Sequence, residues 1–231
     1  MMQSLFLTFT PYLIIGLGLI LGQAGLRPAL LVWGVCMIGA LSGLATAITV
    51  LVMGPPFSWI LAAVSVLPFL VTLGRVIKDL SYPLINDVAT DLEAPIAFGA
   101  ALRAPTNANR DMTYPENFKP QVRKAYPQVQ PLILDEPADQ VFEKVTQLVK
   151  SRHRWRVTLH DTETKTVEAE ATTSFLGFMD DLIVQVSNHE GKSRIDMRSK
   201  SREGAVDAGK NAKRIEMFLE QVRQGEAADS A

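Results

Sequence analysis

Hydrophobic positions run almost unbroken through the first third of the chain, then split into short, regularly spaced groups. Leu5–Gly22, Ala29–Met53 and the run from about Phe57 to Gly74 are apolar on all sides rather than along one stripe. Each has 18 or more residues without a charge, close to the roughly 20 that cross about 30 Å of hydrocarbon. The breaks between them fit loops: Gln23 to Pro28, which contains Arg27, and the turn Gly54-Pro55-Pro56. The pattern predicts a membrane anchor of three transmembrane helices over residues 1–80. A cleaved leader is the competing reading of the first stretch, but it lacks a basic start and a clear small-residue cleavage site. Gly39, Gly43 and Ala47 form a small-xxx-small ladder in the second stretch. Such spacing lets helix backbones approach closely in lipid, and packing inside the anchor outweighs a dimerisation face.

Beyond the anchor, Pro83, Pro95, Pro105, Pro115, Pro120 and Pro127 leave room for few regular elements. Residues 81–130 read as a Pro-rich extended connector, with a short helix expected near Ile96–Leu102. Tyr82, Phe98, Tyr114, Phe118 and Tyr126 are placed to pin it down. Regular periodicity begins at about residue 131. Leu132–Asp135 reads as a strand. Ala138, Val141, Phe142, Val145, Leu148 and Val149 follow helical spacing. Alternating runs follow at Arg156–His160, Thr166–Thr173, Leu182–Ser187 and Ser193–Arg202, with a hairpin signal at Asn188-His189-Glu190-Gly191. A last helix is expected from Asp207 to Arg223, with Ala208, Ala212, Ile215, Leu219 and Val222 as its stripe and a polar tail over 225–231. The order β-α-β-β-β-β-α over 131–224 predicts an α+β domain, an antiparallel sheet with helices on one face.

Charge sharpens the division. Residues 1–74 contain one charged side chain, Arg27; the rest of the chain holds the other 22 of 23 Lys+Arg and all 24 Asp+Glu. No ionisable residue lies inside a span, which argues against a channel or transporter. The net charge of −1 and the lack of a basic run argue against nucleic acid. Cys36 is the sole cysteine, so one chain has no disulfide framework and no cysteine metal site. Arg27, Arg75 and Lys78 would place the domain in the cytoplasm by the positive-inside rule.

Polar side chains concentrate around Asp180 and Asp181, the run Arg198-Ser199-Lys200-Ser201-Arg202, and Asp207, Asn211 and Arg214. Alternation puts Ile195, Met197, Ser199 and Ser201 on one face of the last strand, and Arg194, Asp196, Arg198, Lys200 and Arg202 on the other. Asp207, Asn211 and Arg214 share one helical stripe. The first reading is an ion-pair and capping network: Asp207 caps the helix, Arg214 pairs with Asp180 or Asp181, and the serines satisfy turn backbone. The second is a polar pocket for an anionic headgroup or an acid/base site. Adjacent Asp180 and Asp181 diverge on a strand, so as an acid/base pair they need further partners. Asp87 and Asp91 could meet a cation through carboxylates and carbonyls. His153, His160 and His189 read as surface residues. No metal-ligand spacing, GxGxxG or P-loop is present, so no cofactor or metal is expected.

Phe178-Met179-Asp180-Asp181 and Arg198-Ser199-Lys200-Ser201-Arg202-Glu203-Gly204, followed by Asp207, Gly209, Asn211, Arg214 and Ile215, resemble the signature of a bacterial and plastid family catalogued as domain of unknown function 1499. Ile85-Asn86-Asp87-Val88-Ala89-Thr90-Asp91, with Pro95 and Phe98, resembles the juxtamembrane segment of its membrane-anchored members, in which Asp87, Thr90 and Asp91 stand out. Asn86 replaces a usual His and Ile96 a usual Pro. The resemblance brings no activity. It implies a bacterial inner-membrane protein with its domain on the periplasmic side, against the cations' indication of the cytoplasm. The leading expectation is a domain that binds a lipid-like ligand or a membrane-protein partner at the bilayer surface. A hydrolytic enzyme using Asp180 or Asp181 with Arg198 and Arg202, and a scaffold subunit of a membrane complex, are the alternatives.

Overall fold

The computed structural model describes residues 2–23, 29–53, 58–174 and 176–225. The Arg27 loop, the Gly54-Pro55-Pro56 turn and the polar tail past Gly225 lie outside them. The chain divides into two compact units: residues 1–81 with 174–177, and residues 82–173 with 178–231.

The first unit is built on α1 (Met2–Gln23), α2 (Ala29–Met53) and α3 (Trp59–Asp79). All three are long and apolar enough to cross a membrane. Helix α3 extends past Gly74 and takes in Arg75, Lys78 and Asp79, with Arg75 and Asp79 paired at 3.1 Å. Gly39 and Gly43 of the ladder on α2 lie where neighbouring helices approach closely. A Cβ on Gly39 would fall 2.7 Å from Ile15 Cγ1 on α1, and one on Gly43 would fall 2.5 Å from Ser65 O on α3. Ala47 packs with Val50 and Ala62.

A proline inside each of α1 and α3 removes a backbone donor. In α3, Pro68 cannot serve the carbonyl of Val64 one turn back. The Tyr12 hydroxyl of α1 donates to that carbonyl at 2.6 Å. A freed backbone group in hydrocarbon needs such a replacement.

Among the described residues, the second unit contains a six-stranded sheet and three α-helices. In chain order these are β1 (Asp87–Ala89), α4 (Lys119–Ala125), β2 (Leu132–Leu134), α5 (Ala138–Ser151), β3 (Trp155–Asp161), β4 (Thr166–Thr172), β5 (Met179–His189), β6 (Lys192–Ser201) and α6 (Lys210–Gln224). The sheet order is β1-β6-β5-β4-β3, with β2 also on β6, and every pairing is antiparallel. One edge of β6 carries β5. Its other edge carries β2 at Ser193–Ile195 and β1 at Arg198–Lys200. The β5–β6 turn has two residues, Glu190 and Gly191, both at positive φ, as a tight hairpin between twisted strands requires.

Alternation sorts the sheet into two faces. Val167, Ala169, Ala171, Leu182, Val184, Val186, Ile195 and Met197 face α5 and α6, and form the main core with Val141, Phe142, Val145, Ile215, Phe218 and Leu219. The opposite face carries charge, and residues 90–118 cross it. Phe98, Ala101 and Met112 of that segment pack with Ile183. The one element expected over 82–130, a short helix near Ile96–Leu102, does not form; only the 3₁₀ turn at Ala101–Arg103 overlaps it. Across 82–130 the structure has β1, 3₁₀ turns at Ala101–Arg103, Pro105–Asn107 and Glu116–Phe118, and α4. These elements are too short for a hydrophobic period, and the sheet beneath them supplies their partners.

Helix α6 starts at Lys210 rather than Asp207, because Ala208 and Gly209 sit in the left-handed region at φ 53° and 75°. The Asp207 carboxylate accepts from the amides of Gly209 at 2.8 Å and Asn211 at 3.0 Å, and so caps the helix.

The Tyr12–Val64 bond is testable by a double-mutant cycle. Tyr12→Phe is expected to lower the stability of the detergent-solubilised protein by about 0.6–1.7 kcal/mol. With Pro68→Ala in the background, the alanine amide serves Val64 and the effect of Tyr12→Phe should vanish. Equal effects in both backgrounds would refute the assignment.

Candidate functional site

The polar residues gathered by the sequence lie on both faces of the sheet. Consecutive residues of a strand point to opposite sides, so Asp180 and Asp181 belong to different networks.

On the helix-covered face, Asp180 pairs with Arg214 of α6. Arg214 Nη1 also donates to Ser199 Oγ at 2.8 Å and to Asn211 Oδ1 at 2.6 Å. Ser199 Oγ donates to Asn211 Oδ1 at 2.7 Å. Asn211 Nδ2 donates to Asn86 O and to Ser201 Oγ, each at 3.1 Å. The two serines therefore serve Asn211 and Arg214, a correction to the expectation that they satisfy turn backbone. Where the apolar stripe of β6 gives way to Ser199 and Ser201, the polar stripe of α6 meets them. Burial raises the Asp207 carboxyl above the ordinary range, against the lowering effect of the Asn211 and Gly209 amides. Nearby, burial pushes the Tyr126 hydroxyl up to about 12, aided by Asp207 and Tyr82.

On the other face, Arg198 is almost wholly out of water. Its Nε donates to Asp87 Oδ1 at 3.0 Å and its Nη2 to Asp87 Oδ2 at 2.8 Å, a two-point pairing. Its Nη1 reaches the Ile96 carbonyl at 3.0 Å, and Nη2 also reaches that of Met112 at 2.8 Å. The rings of Phe98 and Tyr114 lie 4.7 and 5.2 Å from the guanidinium carbon, within the range of favourable cation–ring contact. Lys200 Nζ donates to Asp87 Oδ2 at 2.9 Å. Asp87 thus holds two buried cations and is not free for a metal.

Thr90 Oγ1 accepts from the Met197 amide at 3.0 Å. Asp91 accepts from the amides of Glu93 and Ala94 and from Arg194 Nη2 at 2.6 Å. It belongs to a separate pairing on residues 90–118, the strap that crosses this face of the sheet. Among the described residues no group of three or more His, Cys, Asp and Glu is arranged to hold a metal ion.

Asp181 and Arg202 form the second pair on this face. Arg202 Nε reaches both Asp181 oxygens, at 3.1 and 2.9 Å, and Nη2 bridges Asp181 to Glu170. Asn107 Nδ2 donates to Asp181 Oδ2 at 2.9 Å, and Thr106 Oγ1 accepts from Arg202 Nη1 at 2.8 Å. Glu170 is held by Arg156 as well. Burial pushes the Glu170 carboxyl up, but hydrogen bonding and charge from Arg202, then Arg156, outweigh it and leave it below its ordinary range.

Glu168, fully buried, accepts from the amides of Gly99, Ala100 and Ala101 at 2.5, 3.0 and 2.9 Å. Its carboxylate thus anchors the first 3₁₀ turn of the strap. The sequence pattern does not single out Glu168, Glu170 or Asn107, nor Arg110, whose Nη2 donates to Ser201 O at 2.6 Å. The signal for the two glutamates was their alternation with Val167, Ala169 and Ala171, which fits a solvent face equally well.

The departures from the family pattern have places. Asn86 Nδ2 donates to Gly204 O at 2.7 Å. Ile96 serves Arg198 through its carbonyl, a role that any residue can fill. His153, His160 and His189 are exposed, and His160 stacks on Phe142.

Comparison with known proteins gives one family: the profile of a family described as protein of unknown function (DUF1499) matches residues 87–222. The chain belongs to this family. No curated protein and no solved structure matches the chain. The matched span begins at Asp87 and ends at Val222, so it takes in both networks.

Removing one partner of a buried ion pair strands the other. Asp87→Leu strands both Arg198 and Lys200 and is therefore expected to lower unfolding free energy by about 3–5 kcal/mol. Adding Arg198→Met and Lys200→Met should recover part of that loss, read by chemical denaturation; a triple variant no better than the single one would contradict the pairing. Glu170 gives a pH signature. Its lowered carboxyl means that the pairing stabilises the fold fully above the ordinary glutamate value of about 4.3. That contribution is lost as pH falls through the lowered folded value. Glu170→Gln should therefore reduce Tm most at neutral pH, and progressively less below about pH 4. A Tm difference independent of pH would contradict this.

Proposed function

We propose that this member of the DUF1499 family is a non-catalytic, membrane-anchored binding module. In this reading α1, α2 and α3 hold it in a bacterial inner membrane, and residues 82–225 engage a lipid-like ligand or a membrane-protein partner at the bilayer surface. The observation that carries the proposal is the saturation of the polar constellation. Arg198 is occupied by Asp87 and two carbonyls, Asp181 by Arg202 and Asn107, and Asp180 by Arg214. A general base must reach a substrate proton, and an anion clamp needs unspent donors. Groups already spent on one another serve the fold better than a reaction. The three apolar helices support a task performed at a membrane.

The periplasmic side is part of this proposal. A reporter active only outside the cytoplasm, fused after Ala231, is expected to give signal, and a cytoplasm-only reporter none; the reverse pattern would move the domain to the cytoplasm. Native mass spectrometry of the full chain released from mild detergent should retain a discrete lipid-sized adduct or a protein partner. Bare protein, together with turnover of ester or phosphoester substrates that Asp181→Asn abolishes without loss of fold, would favour the hydrolytic reading instead.

A further inference from the structure

Residues 84–86 and 203–207 run side by side at one end of the sheet. The Asn86 side chain donates to Gly204 O at 2.7 Å, and the Asp207 amide to Ile85 O at 3.0 Å. Ile85 and Asp207 turn inward and are buried. Their neighbours Leu84 and Val206 turn outward and are 65% and 37% exposed, with Ala205 exposed beside them. Lys210 and Lys213, on the first turn of α6, are also exposed. Lys210 Nζ lies 6.0 Å from the ring centroid of Phe178. Apolar side chains thus form a short rim, and two exposed cations follow it in the chain on the first turn of α6.

Chain continuity says what meets this rim. Helix α3 ends at Asp79, and the chain from Asp79 to Leu84 spans at most about 18 Å even when fully extended. A headgroup layer occupies several ångströms on each side of the hydrocarbon. Leu84 therefore cannot lie far from lipid in a chain whose third helix spans the bilayer. Apolar side chains flanked by lysines have the chemistry of an interfacial lipid contact: the apolar groups enter the acyl boundary and the ammonium groups meet phosphates.

We infer that Leu84, Ala205 and Val206 form a lipid-contact rim that seats the second unit on the phospholipid surface, with Lys210 and Lys213 facing headgroup phosphates. The inference deepens the proposed function and rests on the reading of α1–α3 as membrane spans. A rim that touches lipid fixes which end of the sheet faces the bilayer, and leaves the β2 end of β6 pointing away.

The test uses the full chain with Cys36→Ser, reconstituted in vesicles of phosphatidylethanolamine and phosphatidylglycerol. A fluorophore is placed on Ala205→Cys or, as a control, on Ile133→Cys. Ile133 pairs with Arg194 at the far end of β6, roughly 20 Å along the strand from Ser201. Nitroxide lipids are expected to quench position 205 several-fold more than position 133. Leu84→Glu with Val206→Glu should bring the two close to equal while far-UV circular dichroism stays unchanged. Membrane integration is read separately by vesicle flotation in alkaline carbonate. Retained flotation with equal quenching at 205 and 133 overturns the rim alone. Loss of flotation overturns the spans and the rim together.

Discussion

A guanidinium removed from water dictates the architecture of the second unit. Arg198 sits mid-strand on β6 with almost no exposure, and a charge in that position must be paired and hydrogen-bonded on every side. The pairing comes from Asp87, so β1 has to dock against β6 in the register that sets Ala89 opposite Arg198 and Asp87 opposite Lys200. Hydrogen bonds to the carbonyls of Ile96 and Met112 fix two points of the strap that follows β1. Phe98 and Tyr114 close over the cation from the same strap. Once the strap is in place, Glu168 is also cut off from water and must find donors. It finds them in three consecutive amides, and the first 3₁₀ turn forms around it. One buried charge thus propagates into the path of a segment that has little helical or strand propensity of its own.

The sheet keeps this arrangement apart from a second one. Through Asp180, Arg214, Ser199, Asn211 and Asp207, the helix-covered face fastens the start of α6 to the ends of β5 and β6 and to the segment before β1. Both networks thus converge on the same ends of the central strands from opposite sides. Buried ion pairs add little net stability over apolar packing of the same volume, because desolvation offsets most of the attraction. Their directional demands still set register, and here they specify where β1, the strap and α6 attach.

The elements with long periods were legible in the sequence. Helix α5 and the β5–β6 hairpin follow their apolar spacing and turn residues closely, and the three anchor helices are visible from the absence of charge. The remaining elements are decided by tertiary contact. Strand β1 is three residues long and exists because Asp87 has a partner on β6. Alternating charge on β4 and β6 fits a wet face or a covered one equally, so Glu168 and Glu170 gave no sign of burial. The start of α6 was misplaced because Ala208 adopts a left-handed conformation that its side chain does not favour. The residues of the candidate site were legible as a set, yet their division between two faces follows from the two-residue period of β5. The same period on β6 separates Ser199 and Ser201 from Arg198, Lys200 and the following Arg202, and the partners that complete each face come from α6 and from residues 87–112.

Saturation also limits where new chemistry can reside. A side chain such as Arg202, bonded to Asp181, Glu170 and Thr106, can accept an anion only by giving up partners that would then be stranded out of water. That exchange is unfavourable unless the strap leaves with it, and the strap is clamped by Arg198 and Glu168. Binding at this face therefore competes with folding, whereas binding at the rim does not. Leu84, Val206, Lys210 and Lys213 are outside both networks, and contact with lipid would satisfy them without breaking a buried bond. The same constraint holds among the three apolar helices, where Tyr12 donates its hydroxyl to the carbonyl that Pro68 leaves open. Within both units these polar groups are bonded to one another, which is why the proposed lipid contact draws on Leu84, Val206, Lys210 and Lys213 instead.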